Sequence, residues 1–122
     1  GASESFLGGV VSYSNDAKEN LIDVPHEMLV EHGAVSEEVA RAMAMGVRGR
    51  FVSDWGVGIT GIAGPTGGTE EKPVGLVHWA VAGPNGVTAR HRVFMGNRSI
   101  VREWSLNAAL DHLRRCLLVF SE

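Results

Sequence analysis

Cysteine is nearly absent from the 122-residue chain: Cys116 stands alone, so no internal disulfide and no cysteine-built metal cluster can form from these residues. That fits a reducing compartment, and a cytoplasmic location is the expectation. No apolar run reaches the roughly 18–20 residues that a membrane span needs, and no signal-peptide pattern opens the sequence. The formal net charge is only −3, which gives no electrostatic case for binding nucleic acid. Lysine is scarce too: Lys18 and Lys72 are the two lysines among 11 basic residues. A solvated surface would ordinarily spread lysines about, so each of these two invites a question.

What is present points to a globular domain. Hydrophobic residues make up 44% and charged residues 20%, near the average for folded domains, and the length suits a single domain over residues 1–122. Glycine is abundant, 16 of 122 residues against a usual ~7%. It concentrates between Gly56 and Gly86, where turns or a ligand-cradling loop need backbone freedom. Charge is uneven as well. Residues 1–38 hold eight acids against Lys18, and residues 89–115 hold six arginines against Glu103 and Asp111. The plain reading is that the two regions pack together or face different partners. The sharper one is that an arginine among them meets an anionic ligand, since its guanidinium matches phosphate bidentately.

The pattern along the chain alternates strands and helices. Residues 6–13 (FLGGVVSY) read as a short buried strand, and Asn15 or Asp16 can cap a short helix that ends before Pro25. Residues 25–31 form another short helix, stopped at His32-Gly33. Ser36 caps the next one, Glu37 and Glu38 suit its first turn, and Val39, Met43, Val47 and Phe51 form its apolar stripe, widened by Ala40 and Ala44. Residues 54–62 are a strand running into a glycine-rich loop, and residues 74–82 a second buried strand. Gly83-Pro84-Asn85-Gly86 is a hairpin turn, from which residues 87–94 return half-exposed. From about Arg98 to Phe120 a helix is expected. Its core stripe is Leu106, Leu110, Leu113, Leu117 and Phe120, with Ile100, Trp104 and Ala108 adjoining. The plan is α/β, a mixed sheet sandwiched by helices.

Two places are candidates for chemistry. The loop TGIAGPTGGT (residues 60–69) follows a strand, so its backbone N–H groups can form an anion nest with threonine hydroxyls completing it. A glycine-rich loop is as often merely a long turn, although strand ends are where α/β sheets bind ligands. It is no Walker A loop, because no Gly-Lys-Ser/Thr closes it, and it does not open a helix, because Pro73 and a strand follow. The second place is YSNDAK (residues 13–18). A lysine desolvated at a strand end loses basicity until it can serve as a base, though a lone lysine in a turn is more commonly a solvated surface group. The five histidines show no metal-binding spacing; His78 is expected to be a hydrogen-bonded core or sheet-face residue. Trp55, Trp79 and Trp104 sit at core-like positions, and Cys116 is expected to be buried filler.

Four stretches, GGVVSYSNDAK (8–18), EHGAVSEEVA (31–40), GITGIAGPTGGTEEKPVGLV (58–77) and FMGNRSIVR (94–102), resemble the CinA C-terminal domain. This is the domain that also occurs alone as PncC-type nicotinamide mononucleotide amidohydrolase. The resemblance runs nearly end to end. It implies a three-layer α/β/α sandwich with a mixed sheet, a homodimer, and no cofactor or metal. The implied activity is hydrolysis of the carboxamide of nicotinamide mononucleotide to nicotinate mononucleotide and ammonia, in pyridine-nucleotide recycling. By the same resemblance, Lys18 is the base of a serine–lysine pair and Tyr13 assists it. Thr60 and Gly61 lie at the amide end, Gly64, Pro65, Gly67 and Gly68 line the nucleotide pocket, and Arg98 contacts the phosphate.

There are two departures. Family members carry a further N-terminal segment with a Glu-Ser-Cys-Thr-Gly-Gly run whose serine is the expected nucleophile. Neither Ser12 nor Ser14 aligns with it. The expectation is therefore a trimmed form of a longer protein, with base and loop present and the nucleophile outside these 122 residues. In addition, Asn97 stands where an aspartate is common before Arg98. The competing reading is a non-catalytic module that binds a nucleotide or a protein. A phosphoryl-transfer role is disfavoured by the lack of both a loop-end lysine and a carboxylate pair for magnesium.

Overall fold

In a computed structural model, residues 7–12, 24–50 and 54–121 are described. The elements in chain order are β1 (Leu7–Ser12), α1 (His26–His32), α2 (Glu37–Arg50), β2 (Trp55–Gly61), β3 (Leu76–Gly83), β4 (Gly86–Val93) and α3 (Arg98–Ser121). The strands form one mixed sheet in the order β1-β2-β3-β4, with β1 parallel to β2 and the remaining pairs antiparallel. Each expected element among these residues is present with ends shifted by a residue or two. The segment from Tyr13 to Asp23, with its expected short helix, lies outside the described residues, as does Phe51.

Parallel pairing of β1 and β2 runs from Leu7 opposite Trp55 to Ser12 opposite Thr60. The link between them passes through α1 and α2, as parallel strands require a crossover rather than a tight turn. By contrast β3 and β4 join through Pro84-Asn85, with Gly83 opposite Gly86. Gly86, the first residue after the turn, takes a φ of 128°, which a side chain would resist.

Helix α2 covers one face of the sheet. Ala40 and Ala44 pack on Ala80 and Ala82, all buried, and Val87 and Ala89 extend the contact onto β4. The approach is close because β2 offers Gly56 and Gly58 there. A Cβ on Gly58 would lie 2.7 Å from the Ala40 carbonyl oxygen, and one on Gly56 would run into that of Ala44. Ser36 caps α2 as expected: its Oγ accepts from the Val39 N–H at 3.2 Å and donates to the Gly33 carbonyl at 2.9 Å. At the end of α1, Gly33 has a φ of 80° but an extended ψ of 160°, so it leaves the helix without completing a left-handed cap.

The opposite face carries the bulk of the large side chains. Trp55, Val57 and Ile59 of β2 and Val77, Trp79 and Val81 of β3 meet Val101, Ala109 and Leu113 of α3, and Phe94 closes the cluster. Here the expected helix stripe needs correction. Among the described side chains of α3 the buried ones are Val101, Ser105, Ala109, His112 and Leu113, whereas Leu106, Leu110 and Trp104 are exposed; the Phe120 side chain lies outside the described ones. With tryptophans and branched residues on the strands, small residues on the helix side allow close packing. Buried Ser105 meets its own need by donating to the Arg102 carbonyl at 3.1 Å. Trp104, 57% exposed, is not a core residue. Among the described residues, no helix is long and apolar enough to cross a membrane.

Candidate active site

The glycine-rich loop starts where β2 ends and returns to β3 at Leu76. Its neck is closed by two backbone bonds, Ile62 N–H to the Leu76 carbonyl at 2.9 Å and Gly75 N–H to the Ile62 carbonyl at 2.7 Å. A second turn forms further out: Thr69 N–H donates to the Lys72 carbonyl at 2.8 Å, and Lys72 N–H to the Thr69 hydroxyl at 3.0 Å. Between these anchors the chain folds over Val74. Gly64 has a φ of 88° and Gly67 a φ of 98°, and the Gly64-Pro65 bond is cis. A Cβ on Gly68 would stand 2.5 Å from the Val74 nitrogen, so glycine there is a matter of space. The loop passes from buried at residues 60–64 to exposed at residues 65–71. The N–H groups of Gly64, Thr66, Gly67 and Gly68 make no hydrogen bond to another described residue.

Arg98, the first residue of α3, reaches this loop and donates from Nη1 to the Gly64 carbonyl at 3.2 Å. Its guanidinium keeps further N–H groups for another acceptor. Beside it, the Asn97 side chain accepts from the Ile100 N–H at 3.0 Å and caps α3. Asparagine and aspartate cap helices almost equally well, so the departure noted at position 97 preserves the placement of Arg98. The Phe94 N–H donates to the Gly75 carbonyl at 2.9 Å and fixes the end of β4 to the same loop. Thr60, Gly61, Gly64, Pro65, Gly67, Gly68 and Arg98 thus share one end of the sheet.

Two threonines expected to offer hydroxyls to the loop are engaged elsewhere. Thr60, fully buried, donates to the Ala34 carbonyl at 2.7 Å and ties β2 to the link between α1 and α2. Thr69 serves the turn at Lys72. Lys72 has a place that sequence reasoning missed. Its Nζ donates to the His32 carbonyl at 2.6 Å, where the negative end of α1 favours a cation. The separation of 40 residues left no local signal for that contact. Tyr13 and Lys18 lie outside the described residues; β1 leaves the sheet at Ser12, directly beside Thr60.

Electrostatics around the loop are mild. His78 on β3 sits opposite His91 on β4, with ring centroids 5.1 Å apart. Burial, and then the neighbouring His91 and Lys72, hold the His78 imidazole below its ordinary value, so it is neutral at pH 7. It lies on the sheet face, yet its buried Nδ1 has no hydrogen-bond partner among the described residues, which corrects the hydrogen-bonded environment expected for it. Among the described residues no group of three or more His, Cys, Asp or Glu is placed to hold a metal ion.

A family model, the CinA C-terminal domain, matches residues 1–117. The chain belongs to the CinA C-terminal domain family. A CinA-like protein of Parasynechococcus marenigrum is 52% identical over 123 residues, covering 99% of this chain and 29% of that protein. Another, from Anaeromyxobacter sp. (strain K), is 56% identical over 117 residues, covering 96% and 29%. The chain therefore spans less than a third of the length of these CinA-like relatives. Among solved structures, the competence/damage inducible protein CihA from Agrobacterium tumefaciens superposes with a TM-score of 0.85 at 32% identity, over 93% of this chain and 86% of that one. The competence damage-inducible protein A (ComA) from Klebsiella pneumoniae has a TM-score of 0.86 at 24% identity, over 96% and 89%, and is similar in fold. The α/β architecture of the CinA domain is thus common to this chain and its structural neighbours.

Proposed function

We propose that this CinA domain hydrolyses the carboxamide of nicotinamide mononucleotide, releasing nicotinate mononucleotide and ammonia. One observation supports the reading: parallel pairing sets Ser12, the last residue of β1 and the residue before Tyr13 in the sequence, against Thr60 at the sheet end that holds the glycine loop and Arg98. In this reading a serine outside these 122 residues attacks the amide carbon. Lys18, with Tyr13 assisting, takes the hydroxyl proton and delivers it to the departing ammonia. An ester to the serine remains, and water cleaves it to free the enzyme. The N–H groups of Gly64, Thr66, Gly67 and Gly68, which make no hydrogen bond among the described residues, supply donors for an oxyanion or for the nucleotide, and Arg98 takes the phosphate. The reaction consumes no cofactor. A homodimer in the cytoplasm is the proposed working form.

Ammonia release from nicotinamide mononucleotide tests this in the protein extended at its N-terminus. Turnover is expected there, with Lys18→Ala lowering kcat by at least about 100-fold, the usual scale of a general base. Arg98→Gln should instead raise KM. Undiminished release from Lys18→Ala would overturn the mechanism. Saturable nucleotide binding without turnover would favour the non-catalytic module.

A further inference from the structure

The end of the sheet opposite the glycine loop holds a cavity of about 350 Å³ between the β3–β4 hairpin and the C-terminal part of α3. Arg98 and His112 are 14 residues apart on one helix, so this cavity lies roughly 20 Å from the loop. Its volume is at the small end of ligand sites. Two kinds of wall meet in it. Trp55 and Val81, both buried, give an apolar floor, and exposed Val119 stands at the mouth. Thr88, Arg90 and His112 give a polar side.

The polar side is only partly satisfied from within. His112, 4% exposed, shares a 2.8 Å hydrogen bond between Nε2 and the Thr88 hydroxyl, while its buried Nδ1 has no partner among the described residues. The Arg90 side chain makes no ion pair or hydrogen bond with any described residue. Arg115, also at the rim, spends Nε on Asp111 at 2.8 Å, and Asp111 is shared with Arg114. The rim is therefore cationic. Burial and nearby Arg90 hold the His112 imidazole below its ordinary value, leaving the charge to the guanidinium groups at neutral pH.

We propose that this cavity is a second binding site, for a small organic carboxylate whose apolar body lies on Trp55 and Val81 and whose carboxylate is held by Arg90. A planar guanidinium donates two parallel hydrogen bonds to a carboxylate, and an apolar floor selects against a bare inorganic anion. The site does not depend on the activity proposed above.

Calorimetric titration of the full protein with 3-phenylpropanoate, 3-phenylpropanamide and inorganic phosphate tests the assignment. The carboxylate should bind saturably at one site per chain, and the amide and phosphate at least about tenfold more weakly, since a charge-assisted hydrogen bond contributes on that scale. Arg90→Gln should weaken the carboxylate by a similar factor with an unchanged melting curve, and Arg98→Gln should leave its affinity alone. Equal affinity for the amide would overturn the role of charge, and equal affinity for phosphate that of the apolar floor. Absence of saturable binding, or loss of binding in Arg98→Gln but not in Arg90→Gln, would overturn the site.

Discussion

Along β2 the side chains alternate between two worlds: Gly56 and Gly58 look toward α2, and Trp55, Val57 and Ile59 toward α3. β3 repeats the alternation, with Ala80 and Ala82 on the first face and Val77, Trp79 and Val81 on the second. Both faces are covered by a helix, yet by opposite means. On the α2 face, small residues on both partners bring backbone close to backbone. On the α3 face, large strand side chains fill the gap and the helix presents Ser105 and Ala109. The lesson is that glycine in a strand, usually a weakness, here determines how near a helix can ride. The α2 face should therefore fail by overpacking and the α3 face by cavity formation.

The largest expected effect breaks the α3 face. Trp79→Ala should cost about 3–5 kcal/mol, read from denaturant unfolding, because it empties the centre of the larger cluster. A change of one methyl tests the other face: Gly58→Ala should cost about 1–3 kcal/mol, since the new Cβ meets the backbone of α2. If Gly58→Ala proves neutral, the close approach of α2 is wrong. Ser36→Ala removes the cap of α2 and should cost about 1 kcal/mol in the same measurement.

Each face also carries one histidine that folding keeps uncharged, His78 beside α2 and His112 on α3. In both, the folded state binds a proton less readily than the unfolded chain does near 6.5. Their contribution to stability is thus complete above that value and is lost as pH falls through the folded one. Melting temperature should drop with acidification below pH 6.5, and His112→Gln should flatten part of that slope. The smallest effect is expected outside both faces: Leu110→Ala, on the exposed side of α3, should change stability by less than about 0.5 kcal/mol. A loss of several kcal/mol there would restore the leucine stripe as a packed surface.

That stripe marks where sequence reasoning stopped. Residues on α2 were legible because charged and apolar positions segregate clearly, and Ser36 announces the start. On α3, leucines, alanines, valine and tryptophan surround the helix, so periodicity offers several faces of similar apolarity. The choice fell to the sheet, whose tryptophans and branched residues admit Val101, Ala109 and Leu113. At the candidate site, the glycine loop and Arg98 were visible as motif and position. Their contact, Arg98 to the Gly64 carbonyl, and the hold of Lys72 on His32 join residues 34 and 40 apart, for which local sequence carries no signal.

By itself the sequence determined the element order, the family, the hairpin and the glycines of the loop, because turn chemistry, capping and apolar periodicity act over a few residues. Only the tertiary structure decided which face of α3 is buried, that Thr60 turns its hydroxyl to Ala34, and that a basic-rimmed cavity opens beyond the hairpin. Those outcomes depend on side chains from separate elements competing for the same space, and no single stretch of chain contains that competition.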